Sequence, residues 1–177
     1  MIQITSPAME PAVSLSDART AARANGSELD SELSIMVATL TAEAEHNTGR
    51  VIIKRTYRIT LDEFPAYIEM PAWPVAEVIE VNYVGADGSP ATLPSGTYRL
   101  DYSKNPIRLV LVPGATWPET SGIDAVKVDV ICGHGADESA TPPAFKGYVL
   151  AKIREAYTPG AVESPFVSGL LNSLRVY

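Results

Sequence analysis

The spacing of apolar positions divides the chain into helical, strand-like and again helical stretches. Over residues 28–47, Leu29, Leu33, Met36 and Leu40 recur at helical spacing, and Val37 and Ala44 widen the stripe. Glu32, Glu43 and Glu45 lie off it. A shorter helix is predicted over residues 18–24. It is opened by the run Ser14-Leu15-Ser16-Asp17, in which an acid follows a Ser N-cap by three residues, and is closed at Asn25-Gly26. Gly49 ends the long helix as a residue that takes left-handed backbone without a Cβ clash.

Beyond Gly49 the period becomes two. Val51, Ile53, Tyr57, Ile59 and Leu61 alternate with Lys54, Thr56, Arg58, Thr60 and Asp62. Arg55 breaks the apolar face and Ile52 the polar one. A short proline-punctuated extended piece covers 68–74. Residues 76–88 alternate at Ile79, Val81 and Tyr83 before a Gly-rich turn. Tyr98, Leu100 and Tyr102 share a face in the next stretch, residues 108–113 are apolar on both faces, and Val126, Val128, Val130 and Cys132 line up in the last. These predict five or six short strands in an antiparallel sheet or small sandwich. Helical spacing then returns after Pro142-Pro143, with Phe145, Tyr148, Val149, Ile153 and Tyr157 near one face. Residues 164–177 read as a last short helix running into a tail.

The fold class expected is therefore α+β. A small helical core of two N-terminal and one or two C-terminal helices carries an inserted antiparallel β block of five or six strands. The boundaries read as a flexible arm over 1–13, the first half of the helical core over 14–49, the β block over 50–134, and the second half with the C-terminal tail over 142–177. Neither flank buries its own stripe, so the two flanks are expected to pack together.

Composition narrows the function. Of 177 residues, 46% are hydrophobic and 20% charged, ordinary values for a globular chain. The net charge of −7 argues against a surface that grips nucleic-acid phosphates. No apolar run approaches a membrane span, and no secretory signal pattern opens the chain. The single cysteine, Cys132, excludes an internal disulfide and suits a reducing cytoplasm.

Candidate chemistry concentrates in the run Cys132-Gly133-His134-Gly135-Ala136-Asp137-Glu138. One Cys and two His in the whole chain are too few for a usual tetrahedral zinc set, and no third group orients a Cys132/His134 nucleophilic pair. The run also lacks the lysine of a phosphate-binding loop. The plainer reading is a strand ending at Cys132 followed by a Gly-rich loop. His46 sits at a helix end, where a cation favours the dipole. No catalytic, metal or cofactor site is expected, and a small hydrolase using Cys132 and His134 is the weaker alternative.

Several stretches taken in order, among them SLSDARTAAR, AEAEHNTGRVIIKRTYRITLDEFP, SGTYRLD, ICGHG, TPPAFKGYVL and the closing LRVY, resemble the head–tail connector (adaptor, or head-completion) proteins of tailed bacteriophages and prophages. The likeness spans residues 14–177, and the segment TPGAVESP after Tyr157 departs from it. It implies a structural virion protein of the neck, assembled in the host bacterial cytoplasm. Copies would form a ring, usually a dodecamer, beneath the portal protein. Such a ring extends a channel through which DNA passes without specific binding, and it offers a platform to a downstream neck or tail-completion protein. An acidic subunit suits such a channel by repelling phosphate. Another neck or tail-completion component is the nearer alternative. Portal or neighbour binding is expected at the C-terminal tail, through Leu170, Leu171, Leu174, Arg175, Val176 and Tyr177. Removal of residues 170–177 would then abolish docking with little effect on stability.

Overall fold

The computed structural model describes residues 1–162 and 164–175. Eight strands and four helices follow in the order β1 (Ile2–Ser6), α1 (Leu15–Ala22), α2 (Asp30–Thr48), β2 (Arg55–Leu61), β3 (Ile68–Glu69), β4 (Val75–Val84), β5 (Pro90–Thr92), β6 (Tyr98–Asp101), β7 (Arg108–Leu111), β8 (Val126–Cys132), α3 (Pro143–Ala156) and α4 (Pro165–Gly169). The fold is α+β, with two compact units. One comprises residues 1–7 and 55–133, the other residues 8–54 and 134–177.

The sheet unit holds a five-stranded sheet in the order β1-β2-β8-β4-β5 and a three-stranded sheet in the order β3-β7-β6. Every pairing is antiparallel. β8 is central, and its alternate valines explain why. Val126 stands opposite Leu61 and Tyr83, Val128 opposite Ile59 and Val81, and Val130 opposite Tyr57 and Val78. All three valines are fully buried, as is Cys132, in line with the alternation in the sequence. On the opposite face, Arg58 grips Asp129 across the β2–β8 pair with two bonds, Nε to Oδ1 at 2.7 Å and Nη2 to Oδ2 at 2.5 Å. A bidentate pair of this kind fixes register as well as adding energy, and Asp129 is buried beneath it.

Three sequence expectations shift at this level. Ile79 was expected in the apolar row with Val81, yet it is exposed. A register shift between Val78 and Glu80 inserts Ile79 as an extra residue, so the inward row passes through Val78 and Val81 instead. The run of residues 51–61 is two pieces rather than one strand. Val51, Ile52 and Ile53 are all buried, and regular pairing with β8 begins only at Arg55. Residues 2–6, given no pattern above, form β1 on the edge beside β2, with Ile2 opposite Ile59 and Ile4 opposite Tyr57.

In the helical unit α1, α2 and α3 bury the predicted stripes together. Ala18, Ala21, Leu33, Val37, Ala44, Phe145, Tyr148, Val149 and Ile153 form one cluster with Ile52 and Ile53. Leu29, Met36, Leu40 and Tyr157 pack against it from partly covered positions. Local signals match the caps. Ser14 accepts from the Asp17 backbone N–H at 3.1 Å, and Gly49 (φ 69°) closes α2 with its N–H on the Glu45 carbonyl at 2.9 Å. Polar contacts stitch the helices at the rim. Lys146 of α3 meets Asp17 of α1 at 2.6 Å, which holds the Asp17 carboxyl below its usual range, and the Tyr148 hydroxyl donates to Glu43 of α2 at 2.7 Å.

The glycine run after β8 is explained by close approach. His134 N–H reaches the Ile52 carbonyl at 2.9 Å, Lys54 N–H the Gly135 carbonyl at 2.7 Å, and Ile53 bridges Gly135. A Cβ on Gly135 would lie 2.0 Å from the Ala140 Cβ. Gly135→Ala is therefore expected to lower stability by about 1–3 kcal/mol, the usual cost of overpacking. Denaturant titration of the purified variant checks this; an unchanged midpoint would show that the Ala140 turn yields freely.

Candidate assembly surfaces

The residues singled out for chemistry lie in environments that quieten them. Cys132 is fully buried on β8, and burial pushes its thiol up to about 11, away from the thiolate a nucleophile needs. His134 opens the second crossing into the helical unit. Burial first, and the Arg50 charge second, hold its imidazole below its ordinary value of 6.5. His46 is exposed in the last turn of α2. Among the described residues no group of three or more His, Cys, Asp and Glu could hold a metal ion, and no helix is long and apolar enough to cross a membrane.

The C-terminal residues expected to bind a partner divide by burial. Leu171 is 2% exposed and belongs to the helical cluster, while Leu170 and Leu174 pack against it. Arg50 Nε donates to the Leu174 carbonyl, tying a 3-10 turn (Asn172–Leu174) to the chain beyond α2. Arg175 is exposed. Val176 and Tyr177 lie outside the described residues. The predicted last helix is shorter than its sequence pattern: α4 spans Pro165–Gly169, with its N–H at Ser164 held by Glu155 Oε1 at 3.1 Å. Val167 and Leu171 of the 164–174 stretch thus serve the core, with Leu170 and Leu174 packed against it. Removal of residues 170–177, expected above to have little effect on stability, would take the buried Leu171 out of this cluster; apolar spacing in so short a stretch reads the same in sequence whether it meets a partner or the chain's own helices.

Exposed apolar surface is found elsewhere. Phe166 on α4 is 74% exposed and Ile123, in the loop before β8, 87%. Ile2 and Ile4 on β1 are 56% and 52% exposed. Sequence reasoning passed over β1 because a strand bare on both faces shows no burial rhythm, although the alternation Ile2-Gln3-Ile4-Thr5 was there to find.

Two expectations follow. The neutral, sheltered His134 binds its proton at lower pH in the folded than in the unfolded chain, so the unfolded state gains protons as pH falls below about 6.5. Stability should therefore decline from pH 7 to pH 5 by a component that is missing in His134→Gln, measured by denaturant titration at each pH. Truncation after Gly169 should cost about 3–5 kcal/mol, the scale of losing one buried leucine and its partly buried neighbours; a thermal melt within a degree or two of the full chain would contradict the packing of Leu171.

Comparison with known proteins places these features. No family model matches the chain, and no curated protein matches it. Solved structures do. A chain from the neck of an empty gene transfer agent (GTA) particle, computed with C6 symmetry, superposes with a TM-score of 0.73 at 24% identity. A chain of a native gene transfer agent virion gives 0.71 at 24%, and one from the neck of a native particle, computed with C12 symmetry, 0.69 at 25%. Each match covers 100% of this chain and 96% of the other. From end to end, then, this chain has the fold of proteins in the neck of gene transfer agent particles, a likeness consistent with the head–tail connector resemblance in its sequence.

Proposed function

We propose that this protein is a structural head–tail connector, or adaptor, that assembles as a ring under the portal of a phage-like particle. The observation that carries the reading is the match over the whole of this chain to chains of gene transfer agent neck and virion structures at TM-scores of about 0.7. The ring extends the DNA channel, joins capsid to tail, and presents a face to the next neck or tail-completion protein. The net charge of −7 per copy supports a channel that repels phosphate and binds no sequence. Work of this kind needs surfaces rather than a catalytic centre. The raised Cys132 thiol and the sheltered His134 are what a packed strand end produces, and they weigh against the hydrolase alternative. Assembly takes place in the host cytoplasm, where a lone buried thiol stays reduced.

Mixing the purified chain with its cognate portal and imaging the product by electron microscopy tests the proposal. Closed rings seated on the portal are expected, twelve-fold to match the connector resemblance. Absence of a ring, together with absence of the chain from purified particles, would overturn it.

A further inference from the structure

The five-stranded sheet ends in two unlike edges. At β5, the bonds from Leu93 N–H to the Val81 carbonyl (2.8 Å) and from Gly85 N–H to the Ser89 carbonyl (2.9 Å) set the alternation of the ladder. Pro90 and Thr92 are thereby turned outward, and Pro90 has no N–H to offer. Proline on an edge strand is a common guard against addition of another strand. β1 carries no such guard. Met1 N donates to the Thr60 carbonyl at 2.7 Å and Thr60 N–H to the Met1 carbonyl at 2.8 Å, so these two residues exchange both bonds. By the same alternation Gln3 faces β2, and the N–H and C=O of Ile2 and Ile4 point out of the sheet. No residue of β1 is charged or a proline.

A groove of about 570 Å³ adjoins this open edge, lined by Ile2, Ile59, Leu61, Pro65, Tyr67 and Ile68 among others. Its one acid, Glu69, is paired with Arg108 at 3.3 Å, and the Arg108 guanidinium in turn lies 3.9 Å over the Tyr67 ring. Open backbone donors and acceptors beside an apolar groove are what an added strand requires: the main chain supplies the bonds and alternate side chains fill the groove.

Charge selects the occupant. Each copy carries −7, so copies meet at least cost through a surface that adds no unpaired acidic charge. The β1 edge and its groove are such a surface: Glu69 is offset by Arg108, and the further charge at the groove is the Met1 ammonium. We infer that they form one half of the contact between adjacent copies, the neighbouring copy laying an extended segment along β1. The inference rests on the connector reading, since a cyclic ring joins two different surfaces of the same chain. The cyclic symmetry of the neck structures with which this chain shares its fold accords with such a contact.

Hydrogen exchange on the wild-type chain, free and assembled on its portal, tests the contact directly. The peptide over residues 1–9 should exchange at least about tenfold more slowly in the ring. An Ile2→Lys, Ile4→Lys double variant should bind without closing rings, and because both side chains are exposed its melting temperature should match wild type. Should that variant fail to fold, the exchange result decides alone. Unchanged exchange over residues 1–9, or normal rings from a folded double variant, overturns the inference and leaves the connector reading in place. Absence of wild-type rings overturns both.

Discussion

An inserted block must return the chain to where it left, and one strand pair meets that constraint here. β2 enters the sheet and β8 leaves it, and they pair along their whole length from Arg55 opposite Cys132 to Leu61 opposite Val126. Entry and exit are thereby held side by side. The two crossings continue as neighbours, through the His134–Ile52 and Lys54–Gly135 bonds, into the helical unit. That arrangement lets α3, far along the chain, reach α1 and α2 and cover their stripes. Without the β2–β8 pair, the two helical halves would be joined only by a long open loop, whose closure entropy would oppose their meeting.

What could be read in the sequence depended on whether burial followed a single period. The stripes of α2 and α3 and the valines of β8 face one way throughout, so Leu33, Val37, Phe145, Ile153 and Val128 were legible as core. Where the backbone breaks period, the pattern misleads. The extra residue at Ile79 turns an apolar side chain to solvent, and the crossing at 51–54 buries three residues in succession. At β1 and at Leu171 the apolar spacing is present, but periodicity alone does not say whether the covering surface belongs to this chain or to another. The exposed strand β1 was therefore missed, and at the other end the spacing did not reveal that Leu171 belongs to this chain's own core.

The run around His134 carries a related lesson. A cysteine, a histidine and two acids within seven residues invite a chemical reading, yet each has a packing role. Cys132 fills a site on β8, and Gly135 gives the space that Ala140 occupies. Asp137 caps the following 3-10 turn, accepting from the Ser139 hydroxyl at 2.5 Å and the Ser139 N–H at 2.8 Å, which together hold its carboxyl below the usual range. Glu138 lies 3.8 Å from Lys146. Composition signals chemistry only where the local backbone leaves side chains free to perform it.

The position of β8 also governs when the sheet can exist during synthesis. β2 and β4 are not bonded to one another; each is bonded to β8, which leaves the ribosome after both. Until residue 132 has emerged, the five-stranded sheet lacks its middle, and Tyr57, Ile59 and Val81 have no valine row to meet. The helical unit waits longer still, for α3. Folding of the nascent chain is thus a late event on both counts, dominated by contacts of high sequence separation. The apolar strands made first are exposed through most of translation, which makes the growing chain a natural client for chaperones.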